Sequence, residues 1–300
     1  MTPFSERAAQ MGLDISGANK GLFYYRDRYC EVAYRQLATI ADDSEKHETD
    51  GILTPLIAVF TKGPDSTGYQ YCGYVSNMYR FVGNEALNQR IIRSISEVGL
   101  PVLRETALFT FDYTRMRNEI VIQSSKQVPE TGDVFPVMVV NNSYNGTKAA
   151  SLAFGLALFH RGANLSFSFR LGEIRQVHIE TSTTSLASAV TTYMEVFSGS
   201  ILDVITQSFQ KEIGEDEMMT LLELLTETFG KRRSKKISEL LESEQGQRRR
   251  PTAWQVFLAI IRYTSFEPNI NVRRMMENIA ESVLVIPTRM HQTLRRLEAS

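Results

Sequence analysis

Two hydrophobic periodicities divide this chain near residue 184. Before that point, apolar residues alternate with polar ones or cluster in short runs, as in strands. Leu56–Thr61 is a short β-branched run, and Tyr69–Val75 alternates beyond the turn residues Gly63-Pro64-Asp65. Together they predict an antiparallel pair. Val102–Phe111, Glu119–Ser124, Val134–Asn141, Leu165–Arg170 and Arg175–Glu180 read as further strands, with a polar turn over Asp112–Asn118. Val134–Asn141 is almost wholly apolar, the pattern of a strand buried on both faces. One helix interrupts the series. Leu87, Ile91, Ile92, Ile95 and Val98 recur at helical spacing over Asn84–Val98, and Gly99 and Pro101 end it.

After Thr184 the period becomes helical. Leu186, Val190, Tyr193, Phe197, Ile201, Val204 and Ile205 mark one face of a long helix, which Gly214 ends. Glu215–Glu217 then start a helix whose apolar face is Leu221, Leu222, Leu224 and Leu225, and Lys231–Arg233 follow its end. Acids before and bases after suit the helix dipole. A short polar helix is expected over Lys235–Glu244, then a charged linker, Gln245–Arg250. Pro251 suits the first turn of an apolar helix over Ala253–Tyr263. Val272–Val285 and Thr288–Glu298 complete the helical part, broken at Pro287. The expected class is α+β: a β-rich body with an inserted helix, followed by a helical C-terminal third. Three segments are expected: an aromatic and arginine-rich N-terminal segment (1–51), the body (52–183), and a helical region packed on it (184–300).

Charge is close to balanced overall, at −1, but not along the chain. Residues 231–300 carry 14 Lys/Arg and 7 Asp/Glu, a net of +7, which leaves −8 on residues 1–230. Lys231, Arg232, Arg233, Lys235 and Lys236 place five cations in six residues, and Arg248, Arg249 and Arg250 add three more. Such a region can neutralise phosphates, giving affinity without sequence preference. A solvated helix end, balanced by Glu239, Glu242 and Glu244, is the competing reading. The aromatic and arginine cluster Phe23–Tyr29 could stack on bases, though packing on the core explains it more simply.

Catalytic patterns are sparse. None of His47, His160, His178 and His291 stands three or four residues from another His or from Cys, and GxSxG and Walker A motifs are missing. His178 precedes Glu180 on the same face of an alternating run, so a base oriented by a carboxylate is conceivable. A half-exposed strand histidine has the same look. A hydrolase using His160, His178 and Glu180 is the least favoured of three readings. Cys30 and Cys72 read as small core groups, and Asp42-Asp43 and Glu215-Asp216 as surface charge. No cofactor or metal is expected. With two cysteines, a charged N-terminus and no apolar run of membrane-spanning length, the expectation is a cytoplasmic protein without a membrane partner.

Two motifs suggest kinship. Asn142-Ser143-Tyr144-Asn145-Gly146-Thr147 follows the apolar strand, and Thr252-Ala253-Trp254 leads through Arg262-Tyr263 in the apolar helix. Both resemble segments of the phage/plasmid-like family of unknown function that includes YfjQ and YafZ, with a weaker similarity over Tyr74–Val98. Tyr144 and Asn145 stand where that family has His and Asp, and Leu258 and Ile261 where it has Asn and Thr. The resemblance implies an α+β fold and a mobile-element origin, in the host cell's cytoplasm. It marks Asn142, Ser143, Asn145 and Gly146 as a motif turn and Thr252, Trp254 and Tyr263 as a motif helix.

The expected function is that of a non-enzymatic accessory protein in phage or plasmid DNA metabolism, binding nucleic acid through residues 231–250. The alternative is a protein-interaction role, as a phage assembly component or an oligomeric inhibitor of host defence. The acidic body and the amphipathic stretch Met218–Phe229 favour that alternative. A homo-oligomer is expected in either case.

Overall fold

The computed structural model describes residues 8–17, 22–36, 56–76, 79, 81–128, 131–147, 150–169, 173–175, 183–286, 290 and 292. His47, His178, Glu180 and His291 lie outside the described residues, as does most of the expected helix Thr288–Glu298. The class is α+β, with strands preceding the helices of the C-terminal third. In chain order the elements are β1 (Leu22–Arg26), β2 (Glu31–Gln36), β3 (Leu56–Lys62), β4 (Gln70–Ser76), α1 (Asn84–Glu97), β5 (Val102–Phe109) and β6 (Arg115–Ile122). There follow β7 (Lys126–Val128), β8 (Gly132–Ser143), β9 (Ser151–His160), β10 (Ala163–Ser168) and β11 (Ile174–Arg175). The helices α2 (Thr183–Gln210), α3 (Glu215–Phe229), α4 (Lys231–Gln245), α5 (Ala253–Thr264) and α6 (Ile270–Val283) close the series.

Packing divides the chain otherwise than the three expected segments. One unit comprises Met1–Arg90, Phe109–Met116 and Asn141–Ala150; the other comprises Ile91–Leu108, Arg117–Val140 and Ser151–Ser300. The first unit holds an antiparallel sheet in the order β1-β2-β3-β4, so strands on both sides of residue 51 share one sheet. The expected β3–β4 pair is present. Strands β1 and β2 have no counterpart in the hydrophobic pattern, because aromatic and arginine side chains mask their alternation. Phe23, Val32, Tyr34, Ile57, Val59 and Val75 point from this sheet into a core completed by Phe81 and Tyr144. The arginine-rich cluster is thereby placed. Phe23 is fully buried, and Tyr25 packs on Phe81 with ring centroids 4.7 Å apart.

The second sheet runs β10-β9-β8-β6-β5, with β11 on β9 and β7 on β8. The polar turn expected over Asp112–Asn118 is shorter than that. Strand β6 starts at Arg115, because Arg117 and Glu119 are satisfied inside the protein. In the second unit, β9 is buried on both faces from Ser151 to Leu158. Phe154 and Leu156 lie on one face of it. Ala153, Gly155 and Ala157 lie on the other. Tyr193 of α2 stacks on Phe154 at 4.5 Å, and its hydroxyl donates to the Gly155 carbonyl. Phe257 of α5 meets Phe167 of β10 edge-on at 5.1 Å. Helix α5 is central among the helices, touching α2, α4, α6 and β10. Among the described residues, no helix is long and apolar enough to cross a membrane.

Candidate nucleic-acid interface

Helix α4 presents the basic segment. Ser234, Ile237, Leu241 and Glu244 recur at helical spacing and form its buried face, against α3 and α5. Lys231–Arg233 follow the end of α3, as the charge order suggested. They form the first turn of α4, one residue beyond Phe229. Gly230 makes that abrupt change of direction with φ of 85°, a conformation that side chains resist. Lys231, Arg232, Lys235 and Lys236 are exposed. Arg233 binds the buried Glu267, Nε to Oε2 at 3.1 Å. Lys236 lies 3.2 Å from Glu239 in a solvated pair of little strength.

This cluster sits at the positive end of the α4 dipole, where cations are unfavourable. Gly230 supplies no side-chain cap, so the first amides of α4 point outward among lysines and arginines. The second basic run lies beyond the other end of α4, about 20 Å away along a 15-residue helix. Exposed Glu239 and Glu242 stand between the two runs. The Arg248 carbonyl accepts from Gln245 Nε2 at 2.7 Å. Arg249 and Arg250 line a groove of about 730 Å³ together with Ile213, Met218, Leu222, Glu223 and Glu227.

Beside the carboxyl end of α4, Glu244 is a hub. Its Oε2 lies 2.8 Å from His160 Nε2 and 3.1 Å from Arg161 Nε, and its Oε1 accepts from Arg262 at 3.0 Å. Burial raises the Glu244 carboxyl, but the His160 hydrogen bond, with Arg161 and Arg262, holds it below the ordinary value. His160, considered for a hydrolase, is thus bound to Glu244. Among the described residues no group of three His, Cys, Asp or Glu could hold a metal.

The densest charge is elsewhere and was not read from the sequence. Arg117 of β6 donates two bonds to Glu277 of α6, at 2.6 and 3.1 Å, and a third to Glu119 at 2.9 Å. Arg273 reaches Glu119 at 3.2 Å, while Arg274 lies 3.7 Å from both Glu277 and Glu173. Ser166 donates to Glu119, and Ser168 to Glu277 at 2.8 Å. Strands β9 and β8 separate β10 from β6 in sheet order, about 14 Å in a flat sheet. The direct Ser166–Glu119 bond therefore requires a curled sheet, and the small side chains Ala153 and Ala157 give its inner face room. Three arginines meet three glutamates, so the network is self-neutralising and serves as a brace. Strand alternation of Arg117 and Glu119, and the i, i+4 spacing of Arg273 and Glu277, were the available signals.

The motif residues of the resemblance are absorbed by folding. Asn142 Nδ2 donates to the Val82 carbonyl and to Asn84 Oδ1, both at 2.8 Å. Tyr144 is buried, donates to Asp27 at 3.0 Å and accepts from the Asn84 amide at 3.2 Å. Asn145 accepts from Ser143 and Thr147 and donates to the Cys72 carbonyl. Gly146 lies in the same turn at φ of 69°. Thr252 caps α5 in a reciprocal box with Gln255, a pattern legible as Thr-x-x-Gln. Trp254 is fully buried and donates to Thr131 at 3.0 Å, whereas Tyr263 is half-buried. Burial pushes the Cys30 thiol up to about 12, so it stays protonated. No known family model, curated protein sequence or solved structure matches the chain.

Proposed function

We propose that this protein binds nucleic acid through the amino-terminal end of α4, as an accessory factor of phage or plasmid DNA metabolism. The observation that carries the reading is the placement of exposed Lys231, Arg232, Lys235 and Lys236 around a helix start that no side chain caps. Cations there work against the helix, and a bound phosphate reverses the sign. It accepts from the outward amides, favours the dipole and neutralises the side chains. Arg248, Arg249 and Arg250 stand beyond the far end of α4 and are not part of this cluster. The mobile-element setting rests on the resemblance of the 142–147 turn and the 252–263 helix.

Fluorescence polarisation with single- and double-stranded DNA tests the reading. Four phosphate contacts predict a loss of about 100-fold in affinity between roughly 50 and 200 mM salt. Lys231→Glu with Lys235→Glu is expected to abolish binding. No binding at low salt, or binding indifferent to that reversal, overturns the proposal.

A further inference from the structure

We propose that the groove between α3 and the 245–251 segment is a self-association surface, closed by α3 of a second copy of this chain about a two-fold axis. Helix α3 is poorly covered. Of its 15 residues only Leu225 and Phe229 are buried, and its principal packing partner is α4. On the groove side Met219 is 58% exposed, with Met218 and Leu222 half-buried beside it. A helix with apolar side chains on its open face loses free energy to water until something covers it. The two methionines suit such a contact, since their unbranched side chains adapt to an incoming surface.

Charge selects the occupant. Glu215, Glu223 and Glu227 stand on the α3 wall of the groove, and Arg249 and Arg250 on the opposite wall. None of these five is ion-paired among the described residues. A partner of one sign would be attracted by one wall and repelled by the other. A second copy carries both signs and the same apolar residues. In a two-fold contact each residue meets its counterpart's partner reciprocally, so the glutamates of each α3 come to lie against the arginines of the other groove. The surface is independent of the cluster at Lys231–Lys236, and association needs no nucleic acid.

Sedimentation velocity over a concentration series, without nucleic acid, tests this. The parent chain is expected to pass from monomer to dimer. Glu223→Arg alone and Arg250→Glu alone each weaken association at least tenfold. An equimolar mixture of the two variants forms a heterodimer more tightly than either associates with itself, because every cross-contact is then complementary. Both substitutions in one chain restore the homodimer. Both residues concerned are exposed, and circular dichroism on each variant confirms an unchanged fold. A parent chain that stays monomeric throughout, or a dimer unaffected by both single reversals, overturns the proposal. So does a mixture that associates no better than its components.

Discussion

Gly155 is required for contact rather than for its backbone angle. A Cβ built there would stand 1.8 Å from the Phe167 carbonyl oxygen, backbone of the neighbouring strand, which cannot swing away. The same glycine carbonyl takes the Tyr193 hydroxyl. Gly155→Ala is therefore expected to cost about 3 kcal/mol by pushing β9 from β10, measurable as a lowered midpoint in urea. Glu277 poses the opposite problem, a charge that must be present. With Glu277 fully buried and Arg117 1% exposed, Glu277→Ala leaves a guanidinium half-neutralised in the interior and is expected to cost about 3–5 kcal/mol. Arg117→Met combined with Glu277→Leu removes both charges and is expected to cost less than Glu277→Ala alone. The urea midpoints of single and double variants form the check, and a double variant no better than the single would show that Glu119 and Arg273 depend on the same pair.

At the scale of elements, α4 separates binding from stability. Its amino-terminal cations oppose the dipole, so Lys231→Glu with Lys235→Glu is expected to leave the thermal midpoint unchanged or raised while nucleic-acid binding disappears. A fall in the midpoint matching the fall in affinity would mean that the cluster serves packing. The same helix shows what was legible beforehand. The strongly periodic α1, α5 and α6 stand within about two residues of their expected bounds, as do the start of α2 and the β3–β4 pair, because one buried face imposes a clean period. The start of α4 was placed four residues late, since charged residues carry no burial signal and Gly230 alone makes the turn. Strand β9 was missed because burial on both faces removes alternation and its alanines and glycine carry little strand preference. The candidate site was legible as a set of cations. The two basic runs were expected to flank one short helix; what could not be read was that Arg249 and Arg250 line a groove. Likewise the turn at Asn142–Asn145 gave no sign from its sequence that its side chains are spent on Val82, Asn84 and Cys72.

For the whole molecule, the second unit holds the more deeply buried of the lowered carboxylates and the first unit most of the raised tyrosines, although, against burial, hydrogen bonds from Thr110 and Thr114 lower Asp112 in the first unit and burial raises Tyr193 in the second. In the second unit, burial raises the Glu119 carboxyl, but Arg117 and Arg273 outweigh it and hold the pKa below 4.5; Glu244 is likewise lowered. A carboxylate held low takes up its proton at a lower pH in the native state than in the unfolded chain. Its contribution is complete above the unfolded value of 4.5 and is lost as pH falls through the native one. In the first unit, Tyr25, Tyr34, Tyr79 and Tyr144 are all raised above 10 by burial, with Asp27 adding to it at Tyr25 and Tyr144. There the unfolded chain loses protons first, so the contribution is complete below pH 10 and is lost as pH rises. Acid is therefore expected to loosen the second unit first. Amide exchange in β6, β10 and α6 should accelerate below about pH 4.5 while β1–β4 stay protected, and Glu119→Gln should flatten that pH dependence because its group no longer titrates. Alkali should do the reverse, with tyrosinate absorbance appearing cooperatively above pH 10 as exchange in β1–β4 rises. Exchange that accelerates uniformly across both units at each extreme would show that they unfold as one.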